Sequence, residues 1–246
     1  MLDQDDARTA AGRESAPTTL ASSAYERLRR DIVEGTLSPG EKLRIDALRT
    51  LYGIGASPLR EALNRLSAEG LVVQEDQRGF RVPPVSMDDL QELTRTRRWL
   101  NEIALRESIA RGDSAWEERI VVAHHRLSRT PFNLGAPHLA NPEWERRHRE
   151  FHAALIASCG SRWIAASWVQ LFDLADRYRY LSKRGDGEHR DVPTEHRVIM
   201  EATLARNTEL AIRLLNEHVS RTAELVASLQ LGAAELASGK ADALVR

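Results

Sequence analysis

The feature that most constrains the fold is a change in hydrophobic periodicity at Ser86. Before it, three short amphipathic segments precede two short apolar runs around a polar turn, which predicts three helices and a hairpin. A capping box that starts at Ser23 predicts the first helix over 23–34, and Ser57 is the predicted N-cap of the third, over 57–68. This order is typical of a winged helix-turn-helix with 57–68 as its recognition helix.

After Ser86 the sequence changes to long amphipathic stretches with almost no strand signal. Predicted helices cover 87–111, 114–129, 142–158, 161–182, 194–206 and 208–231. Six successive helices of this length pack as an antiparallel bundle. The predicted fold class is therefore mainly α, with an N-terminal winged helix-turn-helix followed by an all-α antiparallel helical bundle.

The predicted domain boundaries follow from these patterns. The N-terminal residues combine small and acidic side chains without apolar periodicity, which is typical of a disordered segment. The expected order is a disordered tail over 1–20, a winged helix-turn-helix over 21–84, a helical bundle over 85–232 and a C-terminal tail over 233–246.

Composition excludes several classes of protein. With 42% apolar and 29% charged residues, the chain of 246 residues has the balance of an ordinary soluble globular protein. No stretch approaches the roughly 18 apolar residues of a membrane helix, and the acidic N-terminus lacks a signal-peptide core, so a cytoplasmic location is expected. The single cysteine, Cys159, excludes an intrachain disulfide and a thiolate zinc cluster.

Candidate DNA contacts lie on the outer face of the recognition helix, in the wing and in the second helix. Arg60 is one turn from the start of the recognition helix, the part that normally reaches base edges. The net charge of −1 gives no overall attraction to DNA, and each arginine alone could be a solvated surface residue, but the order of elements favours DNA binding. The full set is Arg44, Arg49, Ser57, Arg60, Asn64, Arg65, Arg78, Gly79 and Arg81.

Histidines give a second signal, in the bundle. His148 and His152 are four residues apart, so their imidazoles lie on one helix face and could share a divalent metal ion. This spacing alone is more typical of two polar surface residues than of a ligand pair. The intervening sequence is HREFH and not HExxH, which disfavours a zincin protease.

Two other classes of protein remain open at this stage. A metal-dependent hydrolase would need an open coordination position and a nearby base, for which Glu150 is poorly placed on its helix. A structural DNA-binding protein would lack a response to a small molecule. The chain has no P-loop, no GxSxG motif and no glycine-rich dinucleotide turn, so no enzyme is expected.

The segment from Ala24 to Val82 contains PGEKL, PLREAL, EGLV and RGF, and it resembles the GntR-type winged helix. The bundle is similar to the FCD effector domain of the FadR-like branch of that superfamily. The two resemblances cover nearly all of 22–231. They imply that His148, His152, His196 and His218 bind a divalent metal, expected to be zinc, with nickel or manganese as alternatives. His148 stands where the FCD pattern usually has Asp, which removes one negative charge.

The resemblance also implies an effector cavity beside the metal, suited to a small carboxylate. Arg97, at the family's recurring arginine position, is the best candidate to bind it, with Asn101 one turn on; Arg177 and Tyr178 are further candidates. Gly55 and Ala56 replace the family's usual Ser-Arg, so base reading should depend more on Arg60 and the wing. The segment ERRHREFHAALIASCGSRW and the segment LFDLADRYRYLS are similar to the sub-branch that controls catabolism of short dicarboxylates such as glutarate.

Together these features predict a homodimeric transcription regulator, acting as a repressor on a palindromic operator in double-stranded DNA. A small carboxylate would shift the protein off its operator. The coupling is expected to pass through the junction from Pro83 to Ser86. Interhelical salt bridges or core packing are the alternative roles for Arg97, Asn101, Arg177 and Tyr178.

Overall fold

The computed structural model describes residues 19–75, 79–134, 141–182 and 190–243, with side chains left out at 181–182 and 229–243. Contacts divide the chain into two compact units, one formed by residues up to Arg30 with Lys42–Arg81 and the other by Asp31–Glu41 with Val82 onwards. No helix in the described ranges is both long enough and apolar enough to cross a bilayer.

The N-terminal elements have the predicted order, with one addition. They are α1 (Leu20–Val33), β1 (Lys42–Leu43), α2 (Ile45–Tyr52), α3 (Ala56–Ala68), β2 (Val73–Glu75) and β3 (Gly79–Arg81). The hairpin of β2 and β3 is antiparallel, and β1 pairs with the other side of β3, which gives a three-stranded sheet in the order β1-β3-β2. The strand β1 was not predicted, because two residues within a turn show no periodicity.

In the N-terminal part, the starts of α1 and α3 differ from the prediction. The helix α1 begins at Leu20, three residues before Ser23, since the Thr19 hydroxyl accepts a hydrogen bond from the Ser22 amide at 3.1 Å and so caps the helix. The helix α3 has Gly55 as its N-cap with no side-chain hydrogen bond, and Ser57 is an exposed residue inside the first turn. Ser57 is therefore not the N-cap.

Apolar residues on one face of α3 hold the recognition helix in place. Leu59, Leu63 and Leu66 are completely buried, and Leu71 and Phe80 add to the same unit's buried set. Burying a leucine side chain stabilises a fold by roughly 1.5–3 kcal/mol. The opposite face of α3 is left exposed, as the apolar spacing predicted.

The second unit carries six helices within the described ranges: α4 (Met87–Arg111), α5 (Ser114–Ser128), α6 (Pro142–Ile156), α7 (Arg162–Ser182), α8 (Val192–Leu204) and α9 (Thr208–Ala243). Side chains of Ser86, Asp113, Asn141 and Asp191 cap α4, α5, α6 and α8. The helix α9 continues twelve residues past its predicted end at 231, and five of those twelve residues are alanine, the strongest helix former.

Two apolar clusters fill the second unit. The larger one joins α4, α5, α6, α7, α8 and α9 around Trp116 and Phe151, both completely buried. The smaller one contains Leu90, Leu93, Ala175, Tyr178 and Val226 on α4, α7 and α9. The mainly α fold class, with a winged helix-turn-helix before a helical domain, is confirmed.

Candidate functional site

Four histidines meet inside the second unit. His148 and His152 come from α6, His196 from the first turns of α8 and His218 from α9, and all four are buried. One ligand nitrogen from each lies within 4.8 Å of the others, and the Nε2 atoms of His148 and His152 are 3.1 Å apart. The structure thus brings together every histidine that was predicted as a ligand, including His148.

Burial keeps these imidazoles uncharged at neutral pH. It lowers the pKa of His148, His152 and His196 well below the ordinary value, and the neighbouring histidines act in the same direction. Burial also lowers the pKa of His218 to about 4, against an opposing hydrogen bond to Glu195. Neutral imidazole is the form that binds a metal ion.

The cluster retains atoms that need a partner. His148 Nδ1 and His196 Nε2 are buried without a hydrogen bond to the described residues. Leaving a buried polar atom unsatisfied costs about 1–3 kcal/mol. The cluster thus offers four converging neutral nitrogens, and two of the four side chains have a buried nitrogen without a hydrogen bond. This donor set fits one divalent cation of the zinc, nickel or manganese type.

A carboxylate and an arginine orient His218. The Nδ1 atom of His218 lies 2.7 Å from Glu195 Oε2 and 3.1 Å from Arg190 Nη2. Because the Glu195 carboxylate is the closer partner and can only accept, Nδ1 carries the proton and donates it to Glu195. The lone pair of His218 is therefore on Nε2, free for a metal. Burial would raise the pKa of Glu195, but hydrogen bonds from Arg190 and His218 outweigh it and hold that pKa well below its usual range.

Arg97 is linked to the histidines through Phe172, whose ring centroid lies 5.8 Å from that of His148 and 5.9 Å from that of His152. Its charge lowers the pKa of both His152 and His218, and its guanidinium lies over the Phe172 ring at 5.5 Å. Burial lowers the pKa of Arg97 to about 10, opposed by the Asp176 carboxylate, so it stays charged at neutral pH. Asp176 itself also pairs with Arg179 at 3.0 Å.

Asn101 is buried one turn from Arg97, and its side-chain oxygen accepts a hydrogen bond from Trp168 Nε1 at 3.1 Å.

The side chains of Arg177 and Tyr178 have other partners. Arg177 donates to the carbonyl of Pro84 at 3.0 Å and also to that of Pro83, and the Tyr178 hydroxyl donates to Asp89. Their contacts are thus with the segment that follows the wing, not with the histidines.

A cavity of about 220 Å³ borders the cluster at His196. It lies between α5, the start of α6 and the start of α8, and none of the four predicted effector residues lines it. Trp144 forms a wall between the cavity and the cluster, since its ring stacks on His148 with centroids 4.7 Å apart. Trp144 precedes His148 by one helical turn, a spacing that could have indicated it; Arg190 lies in a connecting segment and gave no signal.

In the first unit, the predicted DNA residues form an exposed surface on α2 and α3. Arg44, Ser57, Arg60 and Asn64 are exposed, and Arg44 and Arg60 make no ion pair with the described residues. Arg49 is exposed and lies 3.3 Å from Asp46. The left-handed Gly79, with φ of +89°, begins β3 in the wing. Arg78 lies outside the described residues.

Two of the predicted DNA residues have structural partners. The guanidinium of Arg65 lies 4.1 Å from the centroid of the Tyr25 ring, and the Tyr25 hydroxyl donates to Glu69 at 2.8 Å. Arg81 donates to Glu75 across the hairpin at 2.8 Å, between residues that are only half-buried. Both arginines therefore make contacts within the winged helix.

The comparisons with known proteins agree with this arrangement. The model of the bacterial regulatory proteins of the gntR family matches residues 20–82, and the FCD domain model matches residues 92–221. The HTH-type transcriptional regulator BphR of Paraburkholderia xenovorans LB400 is 39% identical over 215 residues, which is 85% of each chain. The HTH-type transcriptional repressor GlaR of Escherichia coli K12 is 34% identical over 206 residues, 82% of this chain and 93% of that protein.

Solved structures show the same fold. E. coli McbR/YncC superposes with a TM-score of 0.71 at 19% identity, over 86% of this chain and 99% of the other. A transcriptional regulator GntR from Rhodococcus sp. RHA1 superposes with a TM-score of 0.65 at 22% identity, over 85% of this chain and 97% of the other. The matched relatives are transcriptional regulators and not enzymes, and Glu150 is paired with Arg146 and Arg147, so a hydrolase is not favoured. The chain belongs to the GntR family of DNA-binding transcription regulators, with an FCD domain after its winged helix-turn-helix.

Proposed function

We propose that this chain is a homodimeric repressor that leaves a palindromic operator when a small carboxylate binds beside a divalent metal in the FCD domain. The observation that carries the proposal is the buried cluster of four uncharged imidazoles, with two unmatched polar atoms, in a chain whose N-terminal part is a winged helix-turn-helix. We divide the chain into DNA-binding residues 21–84 and effector-binding, dimer-forming residues 85–232, with tails over 1–20 and 233–246.

Operator recognition is assigned to the exposed face of α3 and to the wing. Arg60 and Asn64, one turn apart on α3, suit guanine and adenine edges in the major groove. Ser57 at the start of α3, Arg44 just before α2 and Arg49 on α2 suit phosphate oxygens. Arg65, Arg78, Gly79 and Arg81 complete the proposed surface, with the wing along the neighbouring backbone or minor groove.

The metal would be held by His148, His152, His196 and His218, and zinc is the ion that we propose, with nickel or manganese as alternatives. When bound, such an ion would supply a positive charge that attracts a carboxylate. The chain's own contribution is the orientation of the imidazoles: Glu195 fixes the tautomer of His218, and Trp144 stacks on His148.

Arg97 and Asn101 are proposed to bind the effector. Arg97 is a buried cation that stays charged at neutral pH, and a guanidinium pairs with a carboxylate through two parallel hydrogen bonds. The oxygen of Asn101 is used by Trp168, which leaves its amide nitrogen as a donor for an effector oxygen. A short dicarboxylate such as glutarate would place one carboxylate at the metal and the other at Arg97.

Arg177 and Tyr178 are proposed to transmit the response. They donate hydrogen bonds to the segment from Pro83 to Asp89. On the same helix α7, the Phe172 ring contacts His148 and Asp173 pairs with Arg149. About one helical turn, roughly 6 Å, separates Asp173 from Arg177. A shift of α7 on effector binding would therefore reach the junction directly.

The dimer is proposed to form through α4. Trp99 and Ile103, one turn apart, are 60% and 51% exposed. A pair of large apolar side chains on one exposed helix face is a feature of interaction surfaces, and a two-fold dimer would place the two copies of this face against each other.

The test is fluorescence anisotropy of the purified protein on its own upstream DNA and on scrambled DNA, at near-physiological salt, with and without short dicarboxylates including glutarate. We expect preference for the upstream DNA that one dicarboxylate abolishes. His196→Ala should bind DNA but lose the response, and His125→Ala, at an exposed histidine on α5, should keep it. Equal affinity for both DNAs would refute the repressor, and a full response from His196→Ala would refute the metal's part.

A further inference from the structure

The cavity beside His196 borders one proposed metal ligand but contains none of the residues proposed to bind the carboxylate. We call it the α5–α8 cavity; it is a partly open cavity lined by Leu127, Phe132, Trp144 and Val192 together with Ser128 and Thr130. Arg97 lies over the Phe172 ring, which contacts His148 and His152, whereas this cavity is bordered by His196 and has neither Arg97 nor Phe172 in its lining.

Aromatic rings dominate its wall. Phe132 and Trp144 meet edge to face, with centroids 4.6 Å apart and an angle of 81° between their planes. Such pairs present both a ring face and a ring edge, which are the two surfaces that an aromatic ligand contacts favourably. With Leu127 and Val192 opposite, the lining is mainly apolar, as in most sites for small organic molecules.

The positive charge in the lining is already neutralised. Arg190 donates to Glu195 and to Thr222, each at 2.8 Å, and to the His218 carbonyl at 2.7 Å. A carboxylate ligand would have to displace Glu195, which is a poor exchange for a pair with this many hydrogen bonds. The cavity therefore disfavours an anion.

The hydroxyl groups at the edge give the polar preference. Ser128 donates to the His125 carbonyl at 2.9 Å, and Thr130 donates to the Arg126 carbonyl at 2.8 Å. Because both protons are donated to carbonyls of α5, each hydroxyl oxygen can act only as an acceptor towards a ligand. A matching ligand carries an O–H or N–H donor.

We propose that the α5–α8 cavity binds a small uncharged aromatic molecule with one hydrogen-bond donor, of the size and chemistry of phenol. An engineered cavity of about 150 Å³ binds benzene, so 220 Å³ accommodates one substituted ring. The chain would then receive two chemically different signals, an anion at Arg97 and a neutral ring at the α5–α8 cavity. The inference rests on the cavity alone and holds whether or not the proposed repressor function does.

The test is isothermal titration of the full-length, zinc-loaded protein with phenol and, separately, with benzoate, which has the same ring and a negative charge. For a ligand of this size we expect a dissociation constant of about 0.1–1 mM for phenol. Val192→Phe, at a half-buried position in the lining, should fill the cavity and weaken phenol binding by about tenfold or more. Val122→Phe is the matched control, because Val122 is an exposed valine on α5 outside the cavity, and it should bind phenol like the unaltered protein.

Phe132→Ala is a second variant in case Val192→Phe disturbs the fold. Phe132 is 41% exposed, so its loss should leave the fold intact while removing one aromatic wall and weakening phenol binding by about fivefold or more. The proposal is overturned if phenol gives no binding up to about 10 mM, if the folded cavity variants bind it as well as the Val122→Phe control, or if benzoate displaces it with a higher affinity.

Discussion

The hydrogen bond between Glu195 and His218 allows a quantitative test of the metal centre. Glu195→Gln keeps the size of the side chain and one acceptor oxygen but removes the charge that fixes the His218 tautomer and neutralises Arg190. Loss of a partner that orients a metal ligand typically lowers metal affinity about 10–100-fold. This corresponds to about 1.4–2.7 kcal/mol of binding free energy.

The same substitution should also destabilise the metal-free protein. Arg190 and Glu195 have side chains that are only 17% and 13% exposed, so removing the carboxylate leaves a largely buried cation. Breaking a fully buried pair costs 3–5 kcal/mol, and the residual exposure reduces this to about 2 kcal/mol. For a chain of this size such a loss lowers the melting temperature by about 4–8 °C.

The assay is competition for zinc between the protein and a fluorescent chelator at pH 7.5, with a thermal melt of each metal-free variant. Glu201→Gln is the matched control: it lies on the same helix α8, and its pair with Arg197 is 3.0 Å long and exposed. An exposed pair contributes about 0–1 kcal/mol, so this control should keep zinc affinity and nearly all stability. An unchanged zinc affinity in Glu195→Gln, or an equal loss in Glu201→Gln, would refute the argument.

Three further predictions concern stability, DNA and coupling. Burial holds the pKa of His218 at about 4 and that of the other cluster histidines well below the ordinary value, so the unfolded chain takes up protons first as the pH falls. The metal-free protein should therefore lose stability between about pH 6.5 and pH 4. Urea midpoints that do not change between about pH 7.5 and 5 would contradict this. Arg60→Ala should weaken operator binding by about 1–3 kcal/mol without an equal effect on scrambled DNA, measured by anisotropy against Arg126→Ala, an exposed arginine on α5, as control. Arg177→Met should reduce the effect of the carboxylate on operator affinity by about 0.5–2 kcal/mol, while zinc affinity stays the same; a full response would exclude the proposed role of this arginine.

Local patterns were sufficient to predict the helices and the wing, but not their ends. At α1, Ser23 had the sequence of a capping box, yet Ala21 and Ala24 are buried, so packing extends the helix back to Thr19. The strand β1 exists only because β3 lies beside Lys42 and Leu43, a non-local pairing that no periodicity within two residues can indicate.

At the histidine site, too, local sequence patterns predicted one part and tertiary packing determines the rest. The four-residue spacing of His148 and His152 showed directly that they share a helix face. That His196 and His218 lie beside them depends on how α8 and α9 pack against α6, and this was predicted only through the family resemblance. Arg190, which neutralises Glu195, lies before α8 where side-chain periodicity gives no information. The roles of Arg177 and Tyr178 also depend on tertiary contacts, since nothing in their own helix shows that they would hold the segment after the wing.

The helix α7 contacts the histidine cluster and the segment after the wing within about two turns. If this helix has two positions, one compatible with the effector and one with the operator, the two ligands are linked by a single coupling free energy. Reciprocity then requires that operator DNA weaken the effector by the same factor by which the effector weakens the DNA complex. Inside a cell, each bound operator would raise the effector concentration needed for its own release, so the threshold of the switch would be set partly by the DNA sequence itself.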